Sequence, residues 1–290
     1  MATLGYGARS TIFAIKDEKS RVYALKRVRR RNENDQRFID QAILEHEVSS
    51  KFNHPHLRKS YKLIRNRQLL RVHEVVVLME MVDGVTMEHY ELHDMVDLCR
   101  LFQQTAQGLG AMHDAKYVHA DVKPNNLLLT DDHRIKIIDF GQSCPINTIK
   151  ERIQGTPDYI APEQVLRRRI TPQTDLFNLG ATMYWLLTRQ HVPTLIPKKG
   201  GPISGLRECP APVEVNQAVP TALSSLVMQC IQIEPRDRPK SMSDLHDRLE
   251  LAIAQFSRKS SIDSNGVPSE DADDDPDSTG TPTSQSKAVG

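Results

Sequence analysis

Asp121, Lys123 and Asn126 stand at spacings of two and three inside the stretch Tyr117-Val118-His119-Ala120-Asp121-Val122-Lys123-Pro124-Asn125-Asn126. Asp139-Phe140-Gly141 begins thirteen residues after Asn126, behind an apolar run, Ile135-Lys136-Ile137-Ile138, that reads as a strand. Such a pattern calls for a fold that brings a loop and a later turn to one point. A carboxylate there can accept a hydroxyl proton, and an ammonium can neutralise a phosphate. An amide oxygen with a second carboxylate can hold Mg²⁺. These are the parts needed to move a phosphoryl group. Two surface turns that happen to be acidic would not specify so many positions at once.

Composition sets wide limits. At 290 residues the chain can form one two-lobed domain or two small ones with a sizeable core. Charged residues make up 26% and hydrophobic ones 39%, which fits a soluble globular protein. No apolar run is long enough to span a bilayer, and Met1-Ala2-Thr3-Leu4-Gly5 does not resemble a signal peptide. Cys99, Cys144, Cys209 and Cys230 follow no ligand or disulfide spacing, so a reduced, cytoplasmic setting without structural zinc is expected. The net charge of +1 hides an asymmetry: residues 1–80 carry 17 Lys and Arg against 9 Asp and Glu, and residues 261–290 carry 1 against 7. The basic part includes Lys26-Arg27-Val28-Arg29-Arg30-Arg31 and Arg58, Lys59, Lys62, Arg65, Arg67 and Arg71. It reads as a solvated face, with a nucleic-acid or acidic-partner surface as the alternative.

Three zones follow one another. Up to about residue 82, Thr11–Ile15, Val22–Leu25 and Val75–Met79 read as short strands, and one helix lies between Arg37 and Phe52, ending before Asn53-His54-Pro55. From 85 to 257 the pattern is mostly helical. Leu98, Leu101, Phe102, Thr105, Ala106, Leu109 and Met112 form the stripe of a long helix, Leu176 to Thr188 is a nearly all-apolar one, and a last helix spans about Met242 to Phe256. From Arg258 onward Ser, Asp, Thr, Pro and Gly dominate, and this acidic tail is expected to be disordered.

Taken in order over about residues 4 to 256, these segments resemble the eukaryotic-type (Hanks-type) serine/threonine protein kinases. The resemblance implies an α+β, bilobal protein-kinase-like fold. Its β-rich N-lobe, with one key helix, would cover 1–82, a larger helical C-lobe 83–257, and the tail 258–290. Gly5-Tyr6-Gly7-Ala8-Arg9-Ser10 resembles the glycine-rich loop, with Ser10 in place of a third glycine, and Tyr23-Ala24-Leu25-Lys26 resembles the strand bearing the phosphate-binding lysine. Glu45, ten residues before Pro55, is implied as the partner of Lys26, with Glu47 as the competing candidate. The adenine pocket is implied at Leu4, Gly5, Gly7, Ile12, Ala24, Met79 as gatekeeper, the backbone of Glu80 and Val82, and Leu128. Catalysis is implied at Asp121, Lys123, Lys26 and Glu45, and Mg²⁺ ligation at Asn126 and Asp139, with ATP as phosphate donor and a protein hydroxyl as acceptor. Gly155-Thr156-Pro157-Asp158-Tyr159-Ile160-Ala161-Pro162-Glu163 closes the activation segment. In the family, Thr156 would bond the catalytic Asp and Lys, Glu163 would pair with Arg238, and Asp175 would anchor the catalytic loop. His119, His113 and His133 read as structural or exposed.

Several positions depart from the family. Only four residues precede Gly5, so the first strand is expected to be clipped or the start placed too far downstream. Ala120 replaces the arginine before the catalytic aspartate, making this a non-RD variant whose activity is expected not to depend on activation-loop phosphorylation. Ser49 and Ser60 stand where two apolar residues of an internal spine with His119 and Phe140 belong. They are expected to bond each other or to yield to Val48 or Tyr61, leaving the glutamate helix loosely held. Phe177 replaces a tryptophan, and Thr86 and Asn125 replace glutamates found in arginine-preferring kinases. The chain therefore reads as an active, cytoplasmic serine/threonine kinase using Mg·ATP, not membrane-bound. A catalytically silent scaffold is the alternative, and a small-molecule phosphotransferase is disfavoured by the complete Gly155–Glu163 segment. The hydroxyl-rich tail reads as solubilising, or as an autophosphorylated segment docking on the basic lobe.

Overall fold

The computed structural model describes residues 1–7, 9–68, 71–193, 195 and 209–264, the stretch 257–264 as backbone only. Five antiparallel strands come first: β1 (Ala2–Tyr6), β2 (Ser10–Lys16), β3 (Val22–Arg29), then helix α1 (Gln36–Ser49), β4 (Ser60–Gln68) and β5 (Arg71–Glu80). They lie in the order β1-β2-β3-β5-β4. The registers Ile12↔Lys26, Ala14↔Ala24 and Ala24↔Met79 put Ile12, Ala14, Ala24, Lys26 and Met79 on one face of the sheet, because cross-strand partners project to the same side. On that face Val28, Val75 and Val77 pack against Ile39 and Ala42 of α1. The buried stripe of α1 is Ile39, Ala42, Glu45, Val48 and Ser49, so the helical period itself turns Glu45 inward.

Two of these strands are poorly marked in the sequence. β4 is exposed along most of its length and carries Lys62, Arg65 and Arg67, as suits an edge strand, and β1 runs through Gly5 with a bulge between Thr3 and Gly5. The first strand is thus short but formed.

After the connection at 81–84 come β6 (Val85–Thr86), α2 (Met95–Asp114), β7 (Tyr117–Val118), β8 (Leu127–Leu129), β9 (Ile135–Ile137) and β10 (Cys144–Pro145). They are followed by α3 (Pro162–Val165), α4 (Pro172–Thr188), α5 (Pro212–Val215), α6 (Thr221–Cys230) and α7 (Met242–Ser264). Asp94 caps α2 by accepting the Val96 N–H at 2.8 Å, and Pro172 opens α4 where a missing N–H costs nothing. Thirteen of the seventeen residues of α4 are buried, which makes it the axis of the helical lobe. A Cβ on Gly180 would lie 2.4 Å from the Cys230 Cβ, so glycine is what lets α6 approach α4. Gly84 serves likewise at the lobe junction, where a Cβ would come within 2.5 Å of the Leu129 carbonyl oxygen.

The last helix outruns the sequence reading, which ended it at Phe256 and had the chain unstructured from Arg258. Residues 257–264 contain neither proline nor glycine, and a nucleated helix extends until a breaker stops it. Gly266 and Pro268 follow directly. The rest of the predicted disordered tail, 265–290, lies outside the described residues.

Part of the basic lobe's charge is met by carboxylates within it. Arg27 and Arg29 both reach Glu74 (2.5 and 2.8 Å), Arg9 reaches Asp35 (2.8 Å), and Arg65 and Arg71 reach Glu47 and Glu33. Burial opposes the charge of Glu74, but Arg29, Asn66 and Arg27 outweigh it and hold its carboxyl at about 2.

Candidate active site

Lys26, on the inner face of β3, extends its Nζ to 2.6 Å from Glu45 Oε2 of α1. Glu47, the competing candidate, is exposed and faces Arg65 instead. A second cation completes the group: Arg58 lies 2.5 Å from the other Glu45 oxygen, its side chain only 11% exposed. Sequence reasoning had placed Arg58 on the solvated basic face, and its largely covered position against Glu45 is a correction. Nothing in the local sequence distinguishes it from its neighbour Lys59, which bonds Asn53 instead. Asp139, in a left-handed conformation at φ 63°, completes the cluster by accepting the Gly141 N–H at 3.3 Å. Burial opposes the charge of both Lys26 and Asp139, and their mutual attraction wins. Glu45 and Asp139 raise the Lys26 ammonium above the ordinary lysine range, and Lys26 with Arg58 lowers the Asp139 carboxyl below the ordinary aspartate range. Asp139 is thereby kept as an anion, the form that binds a metal.

Across the cleft, Asp121 is held from both ends. One carboxylate oxygen accepts the Thr156 N–H (3.0 Å) and hydroxyl (2.9 Å), and the other accepts Lys123 Nζ (3.0 Å). Lys123 also donates to the Thr156 hydroxyl at 2.7 Å, closing a triangle between catalytic loop and activation segment. Asn126 donates its Nδ2 to the Asp121 carbonyl at 2.8 Å. This fixes the amide so that its carbonyl oxygen, a hard donor suited to Mg²⁺, remains available. Asn126 and Asp139 thus offer hard oxygen donors of the kind that suits magnesium.

The loop is anchored from below by Asp175, fully buried at the start of α4. It accepts the backbone N–H groups of His119 (2.9 Å) and Ala120 (2.7 Å) and pairs with His113 Nε2 (2.8 Å). Ala120, also fully buried, has φ +63° and packs with Val118, Cys144 and Ile170. The residues that would flank an arginine there are apolar. The His119 ring lies 5.5 Å from that of Phe140.

The two spine serines do not bond each other. Ser60 Oγ pairs with His46 Nδ1 at 2.7 Å, because His46 lies one turn before Ser50 on the side of α1 that faces β4. Tyr61 points outward against Tyr23, whereas Val48 joins the same apolar cluster as Phe140. Glu45 of this helix is paired with Lys26 and Arg58.

One cleft gathers Gly7, Lys26, Glu45, Asp121, Lys123, Asp139 and Thr156. Leu4, Gly5, Ile12, Ala24, Met79, Glu80, Val82, Asn126 and Leu128 do not line it. Ile12, Ala24 and buried Met79 share the sheet face of Lys26, Gly5 lies opposite Ile12, Leu128 pairs with Thr86, and Leu4 is exposed. The Glu80 N–H is taken by the Lys59 carbonyl at 2.8 Å. Gly7 donates its N–H to Ser10 O at 2.8 Å, and a Cβ there would sit 2.6 Å from Ser10 Oγ. Beside Asn125, Glu88 supplies a carboxylate that the reading of Thr86 and Asn125 had not found.

Comparison with known proteins agrees with this geometry. The family model described as the protein kinase domain matches residues 1–249. Myosin light chain kinase 2, skeletal/cardiac muscle, of Rattus norvegicus is 32% identical over 176 residues, covering 57% of this chain and 27% of that protein. The serine/threonine-protein kinase PrkC of Bacillus subtilis is 24% identical over 269 residues, covering 87% of this chain and 40% of that protein. A probable serine/threonine-protein kinase of Clostridium acetobutylicum is 25% identical over 205 residues, covering 64% of this chain and 31% of that protein. The chain therefore spans well under half the length of each of these relatives.

Proposed function

This chain belongs to the protein kinase domain family, and from that premise we propose that it is a working serine/threonine protein kinase that transfers the γ-phosphate of Mg·ATP to a protein hydroxyl. The observation that carries this reading is the closed set Lys26–Glu45 and Asp139 on one side of the cleft, with Asp121–Lys123–Thr156 on the other. A catalytically silent scaffold would have no need to keep Asp121 hydrogen-bonded at both oxygens or Asp139 ionised by two cations.

In this reading Asp121 accepts the proton of the acceptor hydroxyl as the oxygen attacks phosphorus. Lys123 offsets charge on the transferring group, and Lys26, steadied by Glu45, holds the phosphates in line. Mg²⁺ held between Asn126 and Asp139 would supply neutralisation of the phosphate oxygens. The adenine is assigned to the sheet face of Ile12, Ala24 and Met79, with Leu4, Gly5, Leu128 and the backbone of Glu80 and Val82 around it. Among the described residues no helix is long and apolar enough to cross a membrane, and a cytoplasmic site of action is part of the proposal.

The same reading includes independence from activation-loop phosphorylation. No hydroxyl-bearing residue occurs from Ile149 to Gly155, Ser143 is buried, and Thr148 donates its hydroxyl to the Pro145 carbonyl at 2.7 Å. Ala120 offers no cation for a phosphate to neutralise.

Transfer of labelled phosphate from Mg·ATP to a generic protein substrate tests the proposal. Incorporation that needs Mg²⁺ and disappears in Asp139→Asn is expected; incorporation that persists in Asp139→Asn would remove Asp139 from the account. Arg58→Met is expected to lower kcat/KM for Mg·ATP about tenfold, or about 1.4 kcal/mol of transition-state stabilisation. Unchanged kinetics would mean that Lys26 alone suffices to hold Glu45.

A further inference from the structure

The activation segment begins against the catalytic loop. β10 pairs with β7 through Cys144↔Val118 and Pro145↔Tyr117, directly before His119. Beyond it the segment is stitched down by backbone bonds: Ile146 N–H to Lys116 O (2.9 Å), Asn147 N–H to Ile170 O (2.7 Å) and Ile170 N–H to Thr148 O (2.8 Å). The chain then turns back, and the half-buried Lys150 donates its Nζ to the carbonyl of Gln142, the residue after Asp139-Phe140-Gly141. One side chain thereby closes the loop 142–150 onto the end of the metal-binding turn.

This contact lies where the chain lacks its regulatory arginine. Ala120 is packed beneath the segment with Cys144 and Ile170, so no cation rises from the catalytic loop at that point. Burial lowers the Lys150 pKa below the ordinary lysine range, against the opposing pull of Cys144, Asp121 and Asp175. The ammonium is bonded to the Gln142 carbonyl, and the negative charges of Asp121 and Asp175 favour its charged form. The usual polarity is reversed: the segment brings a cation to the loop, where an anion on the segment would otherwise meet a cation from the loop.

We infer that Lys150 is a positioning residue that locks the activation segment to the Asp139 turn and keeps the segment in its working shape without a phosphate. The inference rests on the kinase reading above. Through the Thr156 bonds to Asp121 and Lys123, a segment released at Lys150 would displace the groups that orient the acceptor hydroxyl.

Lys150→Met removes the donor at similar length, and Lys150→Arg keeps it. Lys150→Met is expected to lower kcat by about 10- to 100-fold with KM for Mg·ATP within about threefold, because misplacement acts on the reaction more than on nucleotide binding. Backbone hydrogen exchange over 142–150 should quicken in the same variant while exchange in α4 and α6 stays as in the unmodified chain. Lys150→Arg should restore both readouts. Wild-type kcat and exchange in Lys150→Met, or equal losses in Lys150→Met and Lys150→Arg, would overturn the inference. If the unmodified chain transfers no phosphate, the kinase reading fails, and the exchange comparison still decides the role of Lys150. Should Lys150→Met fail to fold, Lys150→Gln repeats the same comparison.

Discussion

Asp121→Asn is expected to reduce kcat for phosphate transfer by about 10²- to 10⁴-fold, the range that a positioned general base contributes. Its KM for Mg·ATP should change little, since Asp121 faces the acceptor and not the nucleotide. The reasoning is local. Asp121 uses one oxygen to accept both donors of Thr156 and the other to accept Lys123. An asparagine keeps the shape but offers one acceptor and one donor, so it cannot take a proton. In either orientation it sets its amide hydrogens against a donor, Thr156 or Lys123. A stability loss of about 1–3 kcal/mol should accompany the change, from the donors left without an acceptor. Steady-state kinetics on folded Asp121→Asn measures the first effect and thermal unfolding the second. A kcat within about threefold of wild type would mean that proton transfer to Asp121 is not needed in the rate-limiting step.

Arg238→Met is expected to cost about 3–5 kcal/mol of folding stability, the range for breaking one partner out of a buried ion pair. Arg238 is fully buried and grips Glu163 with two nitrogens, at 2.8 and 2.9 Å. Its remaining donors go to the carbonyls of Gln173 (2.6 Å), Gln232 (2.9 Å) and Ile233 (3.1 Å), and its guanidinium lies 5.0 Å from the Phe177 ring. The phenylalanine that replaces the family's tryptophan thus still provides an aromatic face for Arg238. Methionine fills much of the volume but leaves the Glu163 carboxylate buried with only the Thr174 hydroxyl (2.9 Å) as partner. Combining Arg238→Met with Glu163→Gln should recover part of the loss, because the stranded charge is then gone. Against the roughly 5–15 kcal/mol stability of an ordinary domain, the single change is severe, and denaturant unfolding will show it. A loss below about 1 kcal/mol would show that the site stays hydrated in solution.

The residues that the structure gathers at the cleft were legible because their spacing is tied to the backbone around them. Lys26 could be placed from an alternating strand, and Glu45 from a helix whose buried stripe includes it. Asp121, Lys123 and Asn126 share one loop whose turn fixes their relative positions. What could not be read were contacts made across the fold by residues of ordinary type. Arg58 and Lys150 look like surface cations, and only the packing of β4 on α1, and of the activation segment on the catalytic loop, gives them partners. Ser60 was misjudged for the same reason, since its partner His46 comes from a helix fourteen residues earlier. β4 was hidden by the charges that suit an edge strand, and the end of α7 by a composition that argues for disorder until the next glycine and proline are counted.

The central claim is that this chain is a kinase whose working geometry is built in without a phosphate on its activation segment. The most direct test is the initial rate of transfer by protein treated with phosphatase and shown by mass spectrometry to be phosphate-free. A rate linear from the first turnovers is expected, and within about threefold of that rate when Ser143 and Thr148 are both alanine. A lag relieved by autophosphorylation, or a loss of about a hundredfold in the alanine variant, would contradict it.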